Sequence, residues 1–170
     1  MRVSWPIGAG VAAVAGILLI AGVAYFQPQK LFISERVNEP TPAATVSAGS
    51  SAAPAETVLS RGSIQSLEHQ SSGTVILIQA VGGQRVLRFE NLSTSNGPDL
   101  RVYLSSKPAG PDWYGYDREY IDLGALKGNL GNQNYTIPDG VDLSRYRSAV
   151  IWCRRFKVGF AIAPLTATGA

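Results

Sequence analysis

Cys153 is the only cysteine in the 170 residues, His69 the only histidine and Met1 the only methionine. A lone thiol cannot close an internal disulfide. Its chemistry is that of a free redox thiol, a thiolate ligand to a metal, or a link to a second chain. Arg154 and Arg155 follow Cys153 directly, and Lys157 is close. Nearby positive charge lowers a thiol pKa and favours the reactive thiolate. Packing competes with this reading. Cysteine is among the most buried residue types and behaves as a small hydrophobe, and Cys153 ends the apolar run SAVIWC. His69, in LEHQSSG, is a second candidate participant; the alternative is a surface or capping residue in a turn.

Counting prunes the metal classes. Blue copper takes two His and one Cys. A structural zinc takes four Cys or His ligands. A c-type haem takes C-x-x-C-H. The sequence supplies none of these sets, and Met1 precedes the apolar N-terminal segment, which excludes a methionine-ligated haem in the domain. A b-type haem on Cys153 or His69 survives the arithmetic, so the cofactor stays open between haem and a naked thiol. No metal site is assigned.

Other residue clusters are weaker. Asp112–Tyr120 (DWYGYDREY) places Trp113, Tyr114, Tyr116 and Tyr120 in one loop with four charged residues. Such aromatics either stack on sugar rings or a cofactor, or plug the end of the fold. Leu123–Tyr135 has glycines at 124, 128 and 131 but no Lys-Ser/Thr pair, so they are read as turn and bulge positions rather than a phosphate loop. There is no G-x-S-x-G, and a triad would have to rest on one histidine. Residues 57–170 carry 12 Lys and Arg against 9 Asp and Glu, too weak and scattered a charge for a nucleic-acid partner.

The elements that must position these residues are short strands. From Thr57 the chain alternates apolar and polar residues in brief runs separated by turn signals, the pattern of an all-β sandwich or barrel. Strands are expected over Val58–Ile64, Gly73–Gln79, Val86–Leu92, Leu100–Ser105, Tyr120–Leu123, Asn134–Ile137, Ser148–Cys153 and Val158–Ile162, with a tight turn at Gly82-Gly83 and one helical turn within Val141–Tyr146.

Before the domain, Ile7–Phe26 holds 20 residues without a charge, enough at about 1.5 Å per residue to span a bilayer core. Residues 1–26 are therefore read as a single-pass anchor in the lipid bilayer, with a cleaved signal peptide as the alternative. Charges flanking the span nearly tie, and the short N-terminal tail favours N-terminus inside and domain outside. Residues 27–56, rich in Pro, Ala, Ser and Thr, are read as a flexible tether giving reach.

Three stretches together resemble a known family: RGSIQSLEHQSSGTV (61–75), VLRFENLSTSNGPDLRVYLS (86–105), and DLGALKGNLGNQNYTIPDGVDL with SAVIWCRRFKVGFAIAPL (122–165). The set is similar to the DM-thirteen domain found beside DOMON domains, and it covers essentially all of 57–170. The resemblance implies one β-sandwich, jelly-roll-like domain, an extracytoplasmic location, and a redox or electron-transfer role. The family cysteine falls on Cys153 and the family histidine on His69. Two functions are carried forward: a redox accessory domain with a redox partner protein, and a non-catalytic module that binds a surface glycan or protein through the aromatic loop.

Overall fold

The computed structural model describes residues 5–26, 33–42 and 56–167. Helix α1 runs Trp5–Phe26. Within it, Gly8–Tyr25 is long and apolar enough to cross a membrane. The strands are β1 (Arg36–Asn38), β2 (Thr57–Ser63), β3 (Gln65–Ser66), β4 (Ser72–Gln79), β5 (Arg85–Ser93) and β6 (Leu100–Ser105), then β7 (Tyr120–Ala125), β8 (Leu130–Thr136), β9 (Ser148–Cys153), β10 (Val158–Pro164) and β11 (Thr166–Ala167). They form two sheets. The first has the order β1-β8-β5-β4-β2-β11 and the second β3-β10-β9-β6-β7. The expected all-β domain behind one apolar helix is what forms.

The period of two explains the layering. Val75 and Leu77 of β4, with Leu87 and Phe89 of β5, face Val102 and Leu104 of β6 and Ile151 of β9 across the sandwich. Each such side chain contributes about 1.5–3 kcal/mol by leaving water. At the Gly82-Gly83 turn both residues take positive φ, and Ala80 and Gln84 close the hairpin. Gly124 also takes positive φ where the β6–β7 register shifts, as a bulge glycine does, and Gly131 takes positive φ opposite the shift in β5. The helical turn forms at Leu143–Arg145, capped by the Asp142 carboxylate, which accepts from the Ser144 N–H.

Two differences from the sequence reading matter. Strand β8 begins at Leu130 rather than Asn134, because a bulge in β5 between Phe89 and Leu92, where Asn91 takes a positive φ, lets LGNQ continue the ladder. More consequential, part of the segment read as a tether lies on the domain. Strand β1 pairs in parallel with β8, Arg36 opposite Leu130 and Asn38 opposite Asn132. The Glu39 carboxylate accepts from the Asn134 backbone N–H (2.6 Å) and pairs with the Lys127 ammonium (2.6 Å). Arg88 donates to the carbonyls of Glu39 and Pro40 and to Asn134 Oδ1. Arg88 does point away from the core, as its place in the alternation requires, yet it is buried beneath this strap. Composition argued for a chain without a core of its own; the sheet edge supplies the partner that composition could not show.

Candidate functional site

Cys153 is the last residue of β9, the strand buried along its whole length. It lies opposite Leu100 of β6 and Val158 of β10. Its side chain is 0% exposed and belongs to the core between the sheets. The free thiol is thus seated as a small hydrophobe.

The cations that follow it do not crowd the sulfur. The Arg154 backbone N–H donates to the Asp99 carbonyl, and its guanidinium pairs with the Asp99 carboxylate at 2.9 Å. The Arg155 guanidinium lies over the Tyr25 ring at the end of α1, 4.4 Å from its centroid. Residues 154–157 form the turn between β9 and β10, and Lys157 adopts a positive φ to close it.

His69 lies in the turn between β3 and β4. Its ring stacks on Phe160, 3.8 Å between centroids. Phe160 shares the buried core with Cys153. The fold therefore brings both candidates to one end of the sandwich, His69 on Phe160 and Cys153 opposite Val158, two residues before Phe160. Among the described residues no hydrogen bond joins them. Gly97 sits at the same end, where a Cβ would press on Leu100 and Phe160.

The outer face of β9 is covered by the aromatic loop. Tyr116, fully buried, and half-buried Trp113 pack with Trp152, Val150, Ile162 and Tyr103. The Tyr116 hydroxyl accepts from the Gly110 N–H (3.0 Å) and donates to the Pro108 carbonyl (3.2 Å). The Lys107 ammonium lies over the Tyr116 ring and pairs with Asp112. The loop lies across the face of the second sheet rather than its end. Tyr114 stacks on Trp113 (4.1 Å) and stays 65% exposed, beside a cleft of about 480 Å³ lined by Lys107, Gly115, Arg118 and Glu119.

A feature that sequence did not show is an aromatic stack beginning at Trp152, the residue before Cys153. Trp152 stacks on Tyr103 (6.4 Å), and Tyr103 on Tyr120 (4.2 Å), which reaches the surface. Burial pushes the Tyr103 hydroxyl well above the usual phenol range, helped by the neighbouring Tyr120 and the Asp122 carboxylate, so it stays protonated. Tyr103 and Trp152 lie on the outer faces of β6 and β9. Only the β6–β9 pairing makes them neighbours.

The residues present do not fit a haem held by Cys153 or His69. The sulfur is enclosed, His69 spends its ring face on Phe160, and neither lines the clefts at Leu126, Lys107, Ser71 or Leu19. No group of three or more His, Cys, Asp or Glu that could hold a metal occurs among the described residues.

Comparison with known proteins gives one match. The model of the family described as electron transfer DM13 matches residues 63–165. No curated protein and no solved structure matches the chain. The matched span runs from the end of β2 through β10 and takes in the whole second sheet, the β4, β5 and β8 strands of the first, His69 and Cys153. On that match the chain belongs to the electron transfer DM13 family.

Proposed function

We propose that this chain is a single-pass membrane protein that carries an electron-transfer accessory domain outside the cytoplasm, with Cys153 as its working group. Family membership over residues 63–165 is the observation that carries the redox part. The apolar helix Gly8–Tyr25 supports the anchor.

The burial of Cys153 constrains how it would act. A bulky substrate does not reach an enclosed sulfur. Exchange would run to a redox partner protein, either through neighbouring side chains or during brief opening of the β9–β10 end. The Trp152–Tyr103–Tyr120 stack offers a surface endpoint at Tyr120. His69 would serve as a positioning residue through Phe160 rather than as a ligand.

Voltammetry of the full chain in detergent or nanodiscs tests this. The wild type is expected to give a faradaic response that is lost in Cys153→Ser while the far-ultraviolet circular dichroism is unchanged. Equal currents from the two proteins, or none from either, would remove Cys153 as the redox group.

One observation favours a second reading, a module that binds a surface glycan. Tyr114 presents an exposed ring beside the cleft at Lys107 and Arg118. Tyr114→Ala would then abolish retention on cell-wall glycan without changing the melting temperature.

A further inference from the structure

The turn between β9 and β10 reads Arg154-Arg155-Phe156-Lys157. Phe156 is 54% exposed at its tip. Other large apolar side chains of the domain are exposed as well, among them Val81, Tyr114 and Tyr120, but none of those three lies between cations in sequence. Only one of the three cations of the turn has a carboxylate partner among the described residues, the Arg154–Asp99 pair. Arg155 and Lys157 enter no described ion pair, and Arg155 Nη1 is buried without a hydrogen-bond acceptor among the described residues. Glu35 and Glu68 lie at the same end, and neither pairs with the turn.

Two independent observations say what this tip faces. Arg155 lies on Tyr25, an aromatic residue at the end of the apolar helix. The covalent chain makes the same point without that contact. The Asn96 side-chain amide donates to the Ile33 carbonyl, and Glu35 bonds to Asn129 and Leu130, so the chain is fixed to this end of the sandwich from Ile33 onward. Only residues 27–32 separate Ile33 from the helix end, and seven fully extended steps reach at most about 25 Å. Ile33 is itself exposed and apolar. An apolar tip flanked by unpaired cations, held this near the end of a span, has the composition of a surface that binds anionic lipid. The aromatic ring enters the headgroup region while Arg and Lys stems snorkel to the phosphates.

We infer that the β9–β10 turn is a membrane-binding tip that inserts Phe156 into the headgroup layer of an anionic bilayer and pairs Arg155 and Lys157 with lipid phosphates, an inference that rests on α1 being the membrane anchor. It orients the domain so that Cys153 and His69, at the same end, face the bilayer.

The test uses the full chain in nanodiscs of phosphatidylcholine, alone or with phosphatidylglycerol, containing lipids brominated near the headgroup end and near the middle of their chains. Phe156→Trp places a reporter at the tip and Leu18→Trp one in the span. Each is read as quenching beyond that of the native tryptophans. The expected result is strong quenching at both positions in anionic discs. At position 156 it should fall at least twofold in phosphatidylcholine alone, and likewise when Arg155→Glu and Lys157→Glu are added. Quenching at 18 without quenching at 156 would overturn the tip and leave the anchor standing. No quenching at either position would overturn the anchor, and the tip with it. Equal quenching at 156 in both lipids would overturn the pairing with anionic headgroups. Amide exchange of Phe156 and Lys157 in the unmodified chain gives a second reading, expected to be slower in anionic than in neutral discs; equal rates would overturn the inference even if a variant misfolds.

Discussion

Cys153 combines a sulfur with an address that water does not reach, and the two properties make separable predictions. As a core residue, it should tolerate Ala better than Ser. Cys153→Ala leaves a small cavity and is expected to cost about 1 kcal/mol. Cys153→Ser puts a hydroxyl among Leu100, Val158 and Ile151 with no acceptor of its own and is expected to cost about 1–3 kcal/mol. Urea unfolding of the two variants beside wild type checks the order; a Ser variant as stable as the Ala variant would show that the sulfur site is wetter than its enclosure indicates. As a thiol, Cys153 should react with a maleimide only as fast as the β9–β10 end opens. Labelling should be slow in buffer and complete within minutes in urea. The residues themselves were legible in the sequence, because single copies of Cys and His are a matter of counting. Their setting was only half legible. The apolar run SAVIWC marked burial, but the arginines after Cys153 suggested an activated thiolate, and the fold sends one to Asp99 and the other to Tyr25.

Strand β1, like the two-residue β3 and β11, is an element that sequence reasoning passed over, and its stability is a matter of few contacts. Three residues in ISERVNEPTP carry no alternation long enough to announce a strand. Its partners are about 90 residues away, and glycines supply the room: at Gly131, φ is +99° and a Cβ would collide with the Val37 carbonyl. Gly131→Ala is therefore expected to strip β1 from the edge. It adds backbone strain of about 1–3 kcal/mol to the collision. The readout is amide exchange at Leu130, whose N–H donates to the Glu35 carbonyl, with the β4–β5 amides unchanged. Glu39 makes the same attachment sensitive to acid. Burial opposes its ionisation, but the Lys127 ammonium, the Asn134 N–H and the Arg88 charge outweigh it and hold the carboxyl below its usual range. A lowered folded value means that the contribution is complete above the ordinary carboxylate pKa of about 4.3 and is lost as pH falls through the lowered value. The protection of the Glu39 and Leu130 amides, measured against the free-chain exchange rate at the same pH, should fall below about pH 4, and in Glu39→Gln it should be lower at neutral pH by about two- to fivefold, for a partly exposed pair worth up to about 1 kcal/mol. Protection that does not change with pH in wild type would assign the attachment to backbone pairing alone. By contrast, the eight strands with alternation or continuous apolar runs were legible, because each carries its own period.

At the scale of the whole molecule, the position of β1 decides what the Pro- and Ala-rich stretch can do. That stretch lies between β1 and β2, and both strands belong to the first sheet, separated in the order β1-β8-β5-β4-β2 by four steps of about 4.8 Å, roughly 19 Å. A segment with both ends on one sheet adds no reach, however flexible its composition. Reach belongs to residues 27–32, which join the helix to Ile33 and cannot exceed about 25 Å. Composition distinguishes a polar linker from a core segment, but it does not say whether the two ends of that linker are held by the same body; for that, the pairing of Arg36 with Leu130 had to be known. The consequence is measurable as energy transfer from a dye at exposed Val81, on the turn between β4 and β5, to acceptor lipids in nanodiscs of phosphatidylcholine alone, where the β9–β10 tip does not hold the domain. Inserting 12 Gly and Ser residues between Ala44 and Ala55 should leave the transfer unchanged, since the added chain only enlarges a loop. The same insertion between Gln27 and Phe32 should lower it, because a flexible chain of about 18 residues has a root-mean-square span of roughly 21–25 Å and a far larger maximum. If both insertions lower transfer alike, β1 leaves the sheet in the membrane-bound protein and the whole of 27–56 acts as one tether. If only the first does, the domain is held through β2 rather than β1. Lowered transfer from the second insertion alone fixes the domain to the bilayer by six residues.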